Sequence, residues 1–220
     1  MKLDLPDNIP DILDLIRRVF EYRLDECGPV SGGVMWKDAD QQILRLEILL
    51  SAILPKDLNA SISINDFGCG YGALFELISD DPMMTTGRYI GYDISGDMVN
   101  AAKAKYPDPR ATFIHSPVAT EPADYSFVSG TYNMDMGAPK DLWSHYVKTS
   151  LKSLWDKTNK VMAFNMLDDI EPKKLADLYY ANKAEFIDFA KTLSPDVEIN
   201  YDYPLNEFTI ILRRIHNFEQ

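Results

Sequence analysis

At 220 residues, with 46% hydrophobic and 25% charged side chains, the chain has the size and composition of one large water-exposed globular domain. Its net charge of −12, from 34 acidic against 22 basic residues, and the lack of any basic run of five or more argue against nucleic acid as a partner, because neutralising phosphates takes clustered Lys and Arg. No apolar run of about 18 residues is present to span a membrane. The opening Met1-Lys2-Leu3-Asp4-Leu5-Pro6-Asp7 lacks the basic start and apolar core of a secretory leader. The two cysteines, Cys27 and Cys69, form no CxxC pair, so neither a zinc site nor a disulfide framework is expected. The expectation is a cytoplasmic protein without a metal.

Apolar residues at Ile9, Ile12, Leu13, Ile16, Val19, Phe20 and Leu24 fall at helical spacing over 9–26. Gly28, Pro29, Gly32 and Gly33 break that helix and form a loop ending near Trp36. A second helix is expected over 38–54, stopped by Pro55. Both precede the first strand and read as an N-terminal cap, residues 1–60, of the same domain as the core, residues 61–220. From residue 61 strands alternate with helices, the pattern of parallel βαβ units: a strand over 61–66 and a helix over 72–80; a strand over 88–93 and a helix from Ser95 to about 106; a short strand over 111–115; a strand over 125–129 and a helix over 140–157; and a strand over 160–165. A helix is then expected over 172–192, with Leu175, Leu178, Tyr179, Phe186, Ile187 and Phe189 on its buried side. Strands over 197–201 and 208–213 close the chain. The turn between them is too short for a crossover helix, so they must be antiparallel.

The segment Asp66-Phe67-Gly68-Cys69-Gly70-Tyr71-Gly72 joins the first strand to its helix. Glycines at alternate positions permit positive φ and close backbone approach, and exposed N–H groups at a helix start favour an anionic or hydrogen-bond-accepting ligand group. The turn alone fits two ligands. Gly68-x-Gly70-x-x-Ala73 satisfies the relaxed dinucleotide pattern, and Gly68-x-Gly70-x-Gly72 the turn of S-adenosylmethionine enzymes. Asp93, ending the second strand, can accept from two ribose hydroxyls in either case. Asp66 favours the second, since a carboxylate there suits an ammonium group better than a pyrophosphate. The reversed terminal strand favours it too, because a dinucleotide fold does not require one.

These segments, with Tyr89-Ile90-Gly91-Tyr92-Asp93-Ile94-Ser95, Asp124-Tyr125-Ser126-Phe127-Val128-Ser129-Gly130 and Glu207-Phe208-Thr209-Ile210, resemble the class I S-adenosylmethionine-dependent methyltransferases over about residues 36–214. Trp36 with Gln42-x-x-Arg45 is similar to the cap of an uncharacterised bacterial branch of that family, of small-molecule type. The resemblance implies an α/β, Rossmann-like seven-stranded sheet of order 3-2-1-4-5-7-6 with strand 7 antiparallel. The cofactor, S-adenosyl-L-methionine with S-adenosyl-L-homocysteine as product, would lie across the carboxyl ends of strands 1, 2 and 4. It also implies roles. Asp66, Phe67, Gly68, Cys69 and Gly70 would meet the methionine and ribose, Asp93 the ribose hydroxyls, and Ile94 and Met98 the adenine. Ser116, Pro117 and Val118 stand where the family often has an acidic residue for the adenine amino group, a departure that leaves this contact to a backbone carbonyl or Ser116. Ser129 and Gly130 close the site. Arg45 is expected to pair with the cofactor carboxylate while Trp36 covers the methionine end.

Catalytic candidates come from the fourth-strand loop: Tyr132 and Asn133 to orient an acceptor, Asp135 to take a proton. Tyr22, Trp143, His145, Tyr146 and Tyr203 are candidates for an acceptor pocket. The Asn/Asp-Pro-Pro-Tyr/Phe signature of adenine-N6 and glutamine-amide methyltransferases is absent, which lowers those acceptors. The expected reaction is in-line methyl transfer to a nitrogen or oxygen of a small molecule or peptide. An NAD-dependent oxidoreductase and a non-catalytic cofactor-binding protein are the rival readings.

Overall fold

The computed structural model describes Pro6 and residues 8–36 and 38–215. Most of the opening heptapeptide lies outside them. Helix α1 (Ile9–Cys27) has Pro10 in its first turn and ends at Gly28, whose φ of +75° only glycine adopts freely. Helix α2 (Ala39–Leu50) is capped by the Asp38 carboxylate, which accepts from the Asp40 N–H at 2.9 Å. Then follow β1 (Ser63–Phe67), α3 (Ala73–Ile78), β2 (Arg88–Asp93), α4 (Gly96–Lys105), β3 (Ala111–His115), β4 (Ala123–Val128), α5 (Lys140–Trp155), β5 (Thr158–Leu167), α6 (Lys183–Leu193), β6 (Asp196–Asn200) and β7 (Glu207–Arg213). One sheet of order β3-β2-β1-β4-β5-β7-β6 results, parallel throughout except that β7 runs antiparallel to both β5 and β6. The fold expected from the resemblance is present.

Strand residues alternate between two apolar layers, as the pleat requires. Ile90 and Tyr92 of β2, Met162 and Phe164 of β5, and Phe208 and Ile210 of β7 face a layer containing α1, α5 and α6. Tyr89, Val161 and Ile211 face the other layer, with α2, α3 and α4. The connection from β3 to β4 is the short, helix-free run 116–122. It leaves the β1–β2 side of the first layer without a crossover helix, and α1 fills that place. Ile9 and Ile16 are buried in the same cluster as Ile90 and Tyr92. Truncating Ile16, only 4% exposed, is therefore expected to cost about 3 kcal/mol, measurable for Ile16→Ala by urea unfolding.

One expected helix is largely absent. Over 172–182 the chain is irregular, and only Lys183–Leu193 is helical. The backbone donors here bond across the fold: Tyr179 N–H to Asn133 O at 2.8 Å and Ala181 N–H to Leu167 O at 2.8 Å, while Asp177 O accepts from Asp135 N–H at 3.1 Å. Loop-to-loop pairing satisfies the groups a helix would have satisfied internally. Leu175, expected in the core, is 59% exposed. Asn182 marks the true helix start, its side chain accepting from Glu185 N–H.

Candidate active site

A cleft opens at the carboxyl ends of β1, β2 and β4, where the strand order changes direction. Asp66 through Tyr71 form one wall, Asp93, Ile94 and Met98 a second, and Ser129, Gly130 and Thr131 a third. The turn after β1 is held to β2 by the Gly68 and Cys69 N–H groups, both donating to Tyr92 O, at 2.8 and 3.0 Å. Gly68 (φ +80°) has a reason beyond its dihedral. A Cβ there would sit 2.2 Å from the Thr131 hydroxyl oxygen, and that hydroxyl donates to Phe67 O at 2.8 Å. The missing side chain lets the β1 and β4 loops touch.

The Asp93 carboxylate is held from two sides. Gly70 N–H donates to Oδ2 at 2.9 Å and Ser95 N–H to Oδ1 at 2.8 Å. Burial raises its pKa, against the two backbone bonds. Each oxygen keeps lone-pair capacity toward the cleft that the residue lines. Asp66 is 4% exposed and accepts from the Tyr89 hydroxyl at 2.5 Å. Burial pushes its pKa up to about 7, the Tyr89 bond opposing and the Asp93 charge adding. The Ser129 hydroxyl is buried at the cleft wall with no protein hydrogen-bond partner among the described residues. Orphaned polar atoms of this kind call for a ligand group or water. Burial drives the Cys69 thiol well above its ordinary pKa, which suits loop packing and not nucleophilic attack.

Among the expected cofactor residues, Trp36, Asp66, Phe67, Gly68, Cys69, Gly70, Asp93, Ile94, Met98, Ser116, Ser129 and Gly130 border the cleft; Pro117, Val118 and Arg45 do not. The Ser116 hydroxyl donates to Val118 O at 2.7 Å and accepts from Val118 N–H at 3.2 Å. That small turn carries Pro117 and Val118 away from the cleft. The Arg45 expectation is corrected by its partner. Its guanidinium forms a buried pair with Glu207, Nε donating at 2.8 and 2.9 Å and Nη2 also donating to Oε1. Nη1 donates to Gln41 O at 2.9 Å, and Cζ lies 4.1 Å from the Trp36 ring centroid. Arg45 thus braces the indole from behind and lies outside the cleft. The indole also meets Gly130, where a Cβ would come within 2.7 Å of the ring atom Cζ2.

The three catalytic candidates are also placed elsewhere. The Tyr132 ring is buried, its hydroxyl donating to Ser150 at 2.8 Å. Asn133 holds the 172–182 loop through its carbonyl, which accepts from Tyr179 N–H. The Asp135 carboxylate accepts from Gly137 N–H at 2.9 Å and shapes a turn. None lines the cleft. Of the acceptor-pocket candidates, Trp143 and Tyr146 do line it, whereas Tyr22 is 62% exposed and His145 and Tyr203 stand elsewhere.

Thr131 of the fourth-strand loop lines the cleft, as do residues the sequence did not single out for the site: Leu13, Ile16 and Phe20 of α1, Val34 of the following loop, Gln42 and Leu46. The periodicity of 9–26 revealed the apolar face of α1 but not what it covers. Gln42 accepts from the Tyr71 hydroxyl at 3.0 Å and so ties the N-terminal helices to the glycine turn. No helix among the described residues is long and apolar enough to cross a membrane.

Residues 65–133 match the family model described as a methyltransferase domain. A Mycobacterium tuberculosis protein, Rv1506c, named a methyltransferase, is 35% identical over 156 residues, covering 69% of this chain and 93% of its own length. Among solved structures, magnesium protoporphyrin IX methyltransferase of Synechocystis PCC 6803, with bound S-adenosylhomocysteine, superposes with a TM-score of 0.68 at 13% identity, covering 93% of this chain and all of that one. The N-methyltransferase NodS of Bradyrhizobium japonicum WM9 gives 0.59 at 11% identity, covering 82% of this chain and all of its own.

Proposed function

Because the chain belongs to the class I S-adenosylmethionine-dependent methyltransferases, we propose that it methylates a nitrogen or oxygen nucleophile of a small molecule or peptide, in the cytoplasm, by in-line displacement. The observation that carries the donor side is the convergence of Asp66, Asp93 and the unpartnered Ser129 hydroxyl on one cleft. In this reading Asp93 accepts from the two ribose hydroxyls. Ile94 and Met98 flank the adenine. Asp66 faces the ammonium end, with Ser129 and Gly130 beside it, and Trp36 covers the methionine. The cofactor brings an electrophilic methyl group: the acceptor's lone pair forms the new bond to carbon as the carbon–sulfur bond breaks with its electrons returning to sulfur.

The chain's own part is positioning and exclusion of water. Holding two reactants in line contributes roughly 7–11 kcal/mol, and the apolar wall of Leu13, Ile16, Phe20, Trp143 and Tyr146 keeps the cleft dry. With Tyr132, Asn133 and Asp135 turned to structural work, no side chain of the β4 loop stands ready as a general base. That fits an acceptor whose proton leaves to solvent, such as an amine. The net charge of −12 supports a partner other than nucleic acid, and the two free cysteines suit a reducing compartment.

Isothermal titration tests the reading. S-Adenosylhomocysteine is expected to bind with a stoichiometry of one and NAD not at all; the reverse ranking overturns it. For Asp93→Ala, which loses two charge-assisted hydrogen bonds of about 1.5–3 kcal/mol each, the affinity for S-adenosylhomocysteine is expected to fall at least about 100-fold.

A further inference from the structure

The donor cleft has a stretch of lining that the cofactor reading does not use. Leu13, Ile16 and Phe20 of α1 and Trp143 and Tyr146 of α5 form it together. Phe67, which ends β1 at the glycine turn, and Tyr146 both pack on the buried Tyr132 ring, with centroids 6.3 and 6.1 Å away. Trp143 lies 4.9 Å from Tyr146. An aromatic run thus leads from the donor turn to α5, and Phe67, Tyr146 and Trp143 border the same space. Helix α1 is tied to the donor side as well: the hydroxyl of Ser95, two residues after Asp93, donates to the Glu21 carboxylate at 3.2 Å.

The chemistry of this stretch is selective. Among the described residues, charge on the cleft lining is confined to Asp66 and Asp93. Two carboxylates repel an anion, and burying one beside them without a counter-charge is costly. The polar atoms toward α5 are already engaged. Trp143 Nε1 donates to Tyr132 O at 3.0 Å, the Thr131 hydroxyl donates to Phe67 O at 2.8 Å, and the Tyr146 hydroxyl lies beside Ser150. Trp143, Tyr146 and Ile16 are only 1%, 4% and 4% exposed. A peptide threaded between these walls would bury backbone groups with nothing to pair them. An apolar body meets no such penalty and gains from leaving water.

We propose that the α1–α5 end of the donor cleft seats the body of the methyl acceptor, and that the acceptor is a small apolar amine, an aryl or alkyl group carrying one nucleophilic nitrogen. The assignment rests on the methyltransferase reading, and the acceptor class follows from the apolar lining and the two carboxylates. The neutral amine reacts: its lone pair forms the nitrogen–carbon bond, the carbon–sulfur electrons return to sulfur, and the amine's proton passes to water.

Two readouts on the full chain test it, with phenethylamine as the probe and phenylacetate as its anionic counterpart. In saturation-transfer NMR on protein saturated with S-adenosylhomocysteine, phenethylamine is expected to give a signal at least about fivefold above that of phenylacetate, whose charge would be buried unpaired. With S-adenosylmethionine, mass spectrometry is expected to detect N-methylphenethylamine and no methyl phenylacetate. Leu13→Trp and Tyr146→Trp fill the space from α1 and from α5, so either suffices if the other does not fold. Both are expected to abolish the signal and the product while calorimetric affinity for S-adenosylhomocysteine stays within about twofold. No phenethylamine signal, an equal signal from phenylacetate, or a signal that survives in the folded variants overturns the proposal. So does phenethylamine that binds without being methylated, since the compartment would then lie out of reach of the methyl group. Failure of the wild-type chain to bind S-adenosylhomocysteine would instead overturn the methyltransferase reading, and it is seen separately in the calorimeter.

Discussion

Glu207→Gln is expected to destabilise the protein by about 3–5 kcal/mol, because it leaves the Arg45 charge buried without its counter-ion. The side chains of the pair are 7% and 1% exposed, so water cannot take over the lost interaction. For a chain of this length the loss corresponds to a fall in Tm of roughly 10 °C. The pair itself is a different matter from its halves. Desolvating two charges nearly cancels their attraction, so the double variant Arg45→Met/Glu207→Leu is expected to lie within about 1 kcal/mol of wild type. Urea unfolding of Arg45→Met, Glu207→Leu and the double closes the cycle, and a Glu207→Gln loss below about 1 kcal/mol would sink the account. The consequence reaches the donor cleft. Glu207 opens β7, Arg45 lies on α2, and the guanidinium supports the indole of Trp36, so the reversed strand indirectly positions a wall of the site. Glu207→Gln is accordingly expected to weaken S-adenosylhomocysteine binding as well, with Trp36 emission changing in parallel.

The parts of this architecture that follow local rules were legible in the residues. The alternation of strands and helices from residue 61, the glycine turn with Asp66 and Asp93, the Ser95 cap (its hydroxyl accepting from Met98 N–H at 3.1 Å) and the antiparallel ending all depend on short-range pattern. Arg45 depends on a partner 162 residues away. A buried arginine looks the same in sequence whether it meets a ligand carboxylate or a glutamate on a distant strand. Tyr132, Asn133 and Asp135 were placed correctly in the β4 loop, yet the loop turns inward after Thr131, and their polar groups serve Ser150, the 172–182 segment and a turn. The segment 172–182 shows the same limit: its apolar spacing suits a helix, but Pro172 and cross-loop backbone bonds hold it irregular. Position of α1 was illegible for a related reason. Amphipathicity gives a helix an apolar face without saying which layer receives it, and here the vacancy left by the helix-free 116–122 connection decided.

Asp66 gives the sharpest pH signature. Its pKa of about 7, against an ordinary 3.8, comes from burial and from the nearby Asp93 charge. A carboxylate raised in this way holds its proton in the folded state over a range where the unfolded chain has lost it. The stability linked to it is fully present below about pH 4 and is lost as the pH rises through about 7. Asp66→Asn, permanently neutral, is expected to stabilise the ligand-free protein at pH 8 and to leave it nearly unchanged at pH 4. Binding runs the other way. An ammonium group beside Asp66 favours the ionised carboxylate, so affinity for S-adenosylhomocysteine is expected to climb about 20-fold between pH 5.5 and 7.5 as that form becomes populated. Proton release on binding, read as a buffer-dependent calorimetric enthalpy at pH 6, is expected in the wild type and absent in Asp66→Asn. The variant would then be the more stable protein and the weaker binder at pH 8. If its affinity equals the wild type's there, Asp66 does not face the ammonium group, and its burial beside Tyr89 is structural alone.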